Sequence, residues 1–169
     1  MKTIILVFLT SITSVLTSCG SVFDESWTLQ RRDYSGNELR TDGYYYIFEE
    51  NLTSVYFLYR NGIILSADSY STHDLDTVEY RMAKSSYDFT KTQNGWGIFG
   101  VKGNEIEFEW WLPILGLPSI KCKGYIENDT TIHITEWYRK DTKKTFFESE
   151  VWHFKQFSPK PDSTNNFIK

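Results

Sequence analysis

The chain has 169 residues, enough for one domain with its own core, and 18 lysines and arginines stand against 22 aspartates and glutamates for a net charge of −4. A mildly acidic, mixed surface lacks the basic stripe that a nucleic-acid partner requires, so that partner class is excluded. Two cysteines allow at most one disulfide, and an aromatic content of 17% supplies the material for a core without one.

The first element in the chain is a secretory signal. Lys2 gives a positive start, Ile4 to Leu16 form an apolar run broken only by Thr and Ser, and small residues follow at Thr17 and Ser18. A membrane-crossing helix needs ~20 consecutive apolar residues, and this run stops short, so residues 1–18 are expected to be cleaved. Leu16-Thr17-Ser18-Cys19 resembles the lipobox of bacterial lipoproteins. The resemblance implies that Cys19 becomes the first mature residue and carries a thioether-linked diacylglycerol and an N-acyl chain, with no other cofactor. Two or more acyl chains hold a protein stably on a membrane where one does not. Gly20 stands where inner-membrane retention favours Asp, which by the same resemblance implies the outer membrane, with the periplasmic and surface faces both open. With Cys19 acylated, Cys122 is left alone and no intrachain disulfide forms.

Residues 19–40, including "RRDYSGNELRTDG", are polar and turn-rich and read as a tether. The domain is expected over residues 41–157. "GYYYIFEE" and "SVYFLYR" are aromatic and β-branched runs, and Asn61-Gly62 marks a hairpin between the second and "IILS". In "STHDLDTVEYRMAK", Ser71 and Asp74 have capping-box spacing. Leu75, Val78 and Met82 make an apolar stripe there, and Arg81 and Lys84 close it, so one short helix is expected over about 72–84. "WGIFGVKGNEIEFEWW" reads as a second hairpin. Ile106, Phe108, Trp110 and Leu112 share its buried face, and Glu105, Glu107 and Glu109 its wet face. Strands over Ser119 to Glu127, Thr131 to Arg139 and Phe146 to Phe157 follow, joined by short polar turns. The tail, residues 158–169, has two prolines and little apolar content and is expected to be flexible and outside the fold. The sum is an all-β antiparallel meander, which avoids open edges by closing into a barrel of about eight strands.

This pattern, from about Asp42 to Phe157, resembles the small lipocalin-like outer-membrane lipoproteins of Bacteroidetes. It is carried by "DGYYY", the "WGIFGVKGNEIEFEWW" hairpin, "GYIENDTTIHI" and the closing "EVWHFKQF". Gly43-Tyr44-Tyr45 stands where true lipocalins have Gly-x-Trp.

The candidate sites are aromatic. Trp96, Trp110, Trp137 and Trp152 fall on four strands and, with Phe108, either line a ligand cavity or fill the core. "WWLPILGLP" is an apolar connector where loops are normally polar, so Ile114, Leu115 and Leu117 either plug one barrel end or form a sticky rim. His73, His133 and His153 lack a third ligand at metal spacing, so no metal is expected. Cys122 shares a face with Ile120, Gly124 and Ile126 and reads as an inert core thiol. Glu105, Glu107 and Glu109 would suit a glycosidase pair only across a cleft, and their alternation places them in solvent instead. Asp76-Thr77-Val78, Asp129-Thr130-Thr131 and Asp162-Ser163-Thr164 resemble a short O-glycosylation motif of Bacteroidetes exported proteins. No nucleophile, base and orienting group form a set, so no enzyme is expected. The expectation is a membrane-anchored barrel binding a small hydrophobic ligand. The alternative is a solid barrel docking an envelope protein or glycan.

Overall fold

The computed structural model describes residues 27–85, 88–112 and 119–168. Nine strands form one antiparallel sheet: β1 (Gly43–Glu49), β2 (Leu52–Leu58), β3 (Ile63–Tyr70), β4 (Trp96–Lys102), β5 (Glu105–Trp110), β6 (Ile120–Asn128), β7 (Thr131–Arg139), β8 (Lys144–Phe146) and β9 (Glu150–Gln156). Each strand from β1 to β7 pairs with the next, and β9 pairs with both β7 and β1, closing an eight-stranded barrel of lipocalin-like, all-β form. Strand β8 is the extra one. The single α-helix among the described residues, α1 (Leu75–Lys84), lies between β3 and β4, followed by a 3-10 turn at Phe89–Lys91.

The turns explain why the meander closes where it does. Gly62 and Gly103 both take positive φ, at 76° and 64°, at the tips of the β2–β3 and β4–β5 hairpins. A glycine accepts that conformation without a Cβ clash. The final strand differs from the single run expected over 146–157. Trp137–Arg139 of β7 pairs with β8, whereas Thr131–Ile134 pairs with β9, so the chain must leave the ladder at 147–149 to cross from one half of β7 to the other. Helix α1 starts three residues later than expected, because Asp74 is the N-cap: its carboxylate accepts from the backbone N–H groups of Asp76 and Thr77.

Two aromatic layers hold the barrel, one on each side of its wall. Inside, Tyr45, Tyr56, Ile64, Phe99, Phe108, Trp110, Cys122, Ile132 and Trp152 make one continuous cluster. Outside, Tyr44, Val55, Phe57, Tyr59, Ile63, Leu65, Trp96 and Ile98, from β1 to β4 and the turn after β2, make a second. Successive residues of a strand point to opposite faces, so a run such as β2 that is buried on both needs cover on both.

That cover corrects two expectations. The segment expected as a tether is, from Trp27 onward, part of the fold. Trp27 packs on Trp111 at 4.2 Å, while Tyr34 and Leu39 enter the inner cluster and close one barrel end. Tyr34 N donates to Arg60 O at 2.7 Å and Arg40 N to Asp129 O at 3.0 Å, tying the plug to the turns around that end. The tail expected outside the fold lies on the outer wall. Phe157 and Phe167 pack against the outer cluster, Ile168 is buried within it, Tyr59 Oη donates to Pro161 O at 3.0 Å, and Asn61 Nδ2 donates to Ser163 Oγ at 3.1 Å. The physical reason is the same for both: α1 is ten residues long and buries only Val78 fully, too little to cover four strands.

Candidate functional site

The lumen is filled by side chains. Tyr56 and Trp152 stack at 3.9 Å with an 8° interplanar angle, Phe108 lies 5.1 Å from Trp152, and Trp110 meets Tyr56 at 5.9 Å. Phe108, Trp110 and Trp152 are therefore core. Trp137 is partly buried at the edge of this cluster, 5.5 Å from Trp110, with its buried indole N–H directed to the Glu150 carboxylate. Trp96 does not join the other four. It pairs with Leu65 across β3–β4 on the outer wall, and its Nε1 donates to Phe89 O at 2.8 Å. The alternation that sends Phe99 inward sends Trp96 out.

A cavity of about 610 Å³ lies on the outer wall, between the sheet, the C-terminal half of α1 and the tail. That is within the roughly 300–1,000 Å³ of small-molecule sites. Its floor is Phe57 and Ala67, its helix side is Met82 and Ala83, and Phe89 and Phe157 stand on the flanks. Pro159, Lys160 and Pro161 of the tail complete it. The polar lining groups are Ser66, Asp68, Ser69 and Tyr70 on β3, Ser85, Asn94, and Lys160 of the tail. A second depression of about 660 Å³, between residues 28–38 and the β4–β5 hairpin, is shallower and more polar: Arg32, Asp33, Glu38, Lys102, Glu105 and Glu107 line it beside Leu29, Phe99 and Val101.

Lys160 is the chemically distinctive member of the first cavity. Its Nζ donates to Thr41 O at 2.6 Å and Leu58 O at 2.7 Å, and it sits 4.2 Å above the Tyr59 ring and 5.9 Å from that of Phe57. No carboxylate among the described residues is within ion-pair distance of it. Burial pushes its pKa down to about 8, with the more distant Asp42 acting the other way.

Glu109 corrects the expectation of a fully wet glutamate face. Glu105 is exposed and Glu107 pairs with Lys121 and Lys123, but Glu109 is 0% exposed. Its carboxylate accepts from Thr28 N at 2.8 Å, Thr28 Oγ1 at 2.7 Å, Leu29 N at 3.0 Å and Ser119 Oγ at 3.1 Å, and pairs with Lys140. Burial acts to raise its pKa, and Lys140 and the donors of Thr28 and Leu29 outweigh that and hold it below the ordinary carboxylate value. It staples the N-terminal segment to the wall of β5.

The histidines stay apart in function. His133 Nε2 meets Glu127 at 2.6 Å and its ring stacks on Tyr125, His73 Nε2 meets Glu49 O at 2.8 Å, and His153 packs near Tyr46 at 5.9 Å. Among the described residues no three metal-ligating groups come together, and no helix is long and apolar enough to cross a membrane. Cys122 is a buried free thiol whose pKa burial pushes well up. Cys19, Ile114, Leu115 and Leu117 lie outside the described residues.

Comparison with known proteins returns no family model, no curated protein and no solved structure that matches the chain. The lateral cavity and Lys160 were not read from the sequence. One signal for the cavity was present: "VYFLY" is apolar on both alternating faces, which marks a strand buried from two sides and hence a covered outer wall.

Proposed function

We propose that this protein is a lipid-anchored, non-enzymatic binding module of the outer membrane, and that its barrel carries a small hydrophobic ligand in the lateral cavity rather than in the lumen. The supporting observation is the contrast between the two faces of the wall. Inside, the Tyr56–Trp152 stack and its neighbours occupy the space a lipocalin ligand would use. Outside, an apolar hollow of about 610 Å³ is framed by three separate elements. A solid barrel contributes a rigid floor, and the helix and tail contribute walls that can adjust. The anchor rests on Cys19 and its lipobox.

The test uses the purified domain and the neutral apolar dye Nile red. Dye fluorescence should rise with saturable binding to the wild type, and Ala67→Trp, which fills the floor, should weaken binding at least about tenfold, the loss expected when an apolar pocket is blocked. Phe108→Leu, a change inside the lumen, should leave it unchanged. The reverse pattern would return the site to the lumen.

A second reading, an interaction subunit of an envelope complex, is favoured by one observation. Phe146 and Phe147 are 42% and 80% exposed at the extra strand β8, whose outer edge has no partner strand. Loss of photo-crosslinks to one defined envelope protein on Phe147→Ser would support it.

A further inference from the structure

The proposed lateral site leaves open what kind of hydrophobic molecule enters it. An ammonium group carries three N–H donors. In Lys160 two of them go to the carbonyls of Thr41 and Leu58, and the group's flanks meet the rings of Tyr59 and Phe57. Those partners are neutral dipoles and ring faces, which stabilise a desolvated cation only in part. Lys160 nevertheless lines a cavity whose apolar part is Phe57, Ala67, Met82, Ala83, Phe89 and Phe157, with the polar groups gathered on β3 and at Ser85 and Asn94. A lysine that only fastened the tail could do so by pointing its charge to water. This one directs it to two backbone carbonyls and two ring faces, with Asp42 acting only from longer range and no carboxylate within ion-pair distance among the described residues.

We infer that Lys160 is the head-group anchor of the lateral site, so that its ligand is an anionic amphiphile, a carboxylate on an aliphatic chain, with the chain lying along Phe57, Met82 and Phe157. The inference rests on the lateral cavity being the binding site. A carboxylate at Lys160 would take the third N–H and provide the missing charge, and the apolar walls would bury the chain. The other charged groups around this space are Asp42, at longer range, Asp68 of β3 in the lining, Arg81 of α1, which acts on Tyr70, and Asp162 of the tail, which acts on Tyr59. Helix α1 brings only Met82 and Ala83 to the lining, with Ser85 just beyond its end. Tyr70, also on the rim, has its pKa pushed up to about 12 by burial and stays neutral throughout.

The experiment compares dodecanoate with dodecanol, which share a chain and differ in the head, by displacement of Nile red from the wild type and Lys160→Met. At about pH 7 dodecanoate should bind the wild type at least about tenfold more tightly than dodecanol, the difference a charge-assisted hydrogen bond supplies. Lys160→Met should abolish that preference and leave dodecanol affinity intact. The same preference should fade in the wild type alone between about pH 8 and about pH 10. The bound anion raises the lysine pKa, so its contribution is complete below the free value near 8 and is lost as pH rises through the bound value. The pH arm needs no variant, so a folding defect in Lys160→Met does not decide the matter. Equal affinities for the acid and the alcohol, or equal loss of both in Lys160→Met, would overturn the anchor and leave the cavity standing. Failure of both amphiphiles to displace the dye would overturn the cavity reading and the anchor with it.

Discussion

At the scale of single residues, Glu109 shows how far alternation carries and where it stops. The period-two pattern of β5 places Glu105, Glu107 and Glu109 on one face, and the structure agrees. Which of them meets water depends on what else lies on that face, and that is set by residues 81 and 80 positions away at Thr28 and Leu29. No local pattern reports such a contact. Glu109→Ala removes a buried carboxylate that satisfies four donors and a lysine, and should cost about 3 kcal/mol of stability in chemical denaturation. The folded pKa is depressed, so the stabilisation is present above the ordinary value of 4.5 and is lost as pH falls through the lower folded value. Acid denaturation curves of wild type and variant should converge at the low end. Cys122 was legible for the opposite reason: its cross-strand neighbours are set by the sequence of one hairpin, and burial follows from them.

At the scale of elements, hairpins were readable and their coverings were not. Asn61-Gly62 and Lys102-Gly103-Asn104 define their turns within a few residues, so β2–β5 fall close to where the sequence places them. Helix α1 ends at Lys84 as the sequence implies, because cap, stripe and basic end lie within one short segment. The tail defeats the same approach. "SPKPDSTNNFIK" is polar and proline-rich, yet its only large apolar residues, Phe167 and Ile168, are the ones that dock. A polar majority says little when two side chains carry the contact. Asn165 fixes them in place by accepting from both backbone N–H groups, at 3.0 and 2.9 Å. Truncation after Pro161 should therefore lower stability by about 2 kcal/mol, mostly from the buried Ile168 side chain, in thermal or urea unfolding. It should spare the cavity's tail wall, which ends at Pro161.

At the scale of the whole molecule, the barrel is a wall with two packed faces, and this changes what a small barrel can do. A lumen lined by large aromatics from opposite strands is stiff and filled, so adaptability passes to the outer layer, where a ten-residue helix and an irregular tail share the covering. The closed fold followed from the strand pattern. Its plug did not, because Tyr34 and Leu39 belong to a stretch whose composition is that of a linker. The proposed anchor is tested at this scale too. Cys19→Ser should shift the protein from the detergent-extracted membrane fraction to the soluble fraction without altering its melting temperature.

Trp27 is held against Trp111, and the next two residues are bound to Glu109, so the chain has no freedom downstream of that point. Cys19 precedes Trp27 by eight residues, which at full stretch span on the order of 28 Å. An acylated Cys19 thus sets a ceiling on how far this corner of the barrel can rise from the bilayer, comparable to the thickness of the hydrocarbon layer itself. The corner is the end of β5 and the start of β6, so the proposed anchor would hold that rim toward the lipid headgroups. The same proposed arrangement would turn the opposite end, closed by Tyr34 and Leu39, to the aqueous side and open the lateral cavity between the two, parallel to the membrane plane.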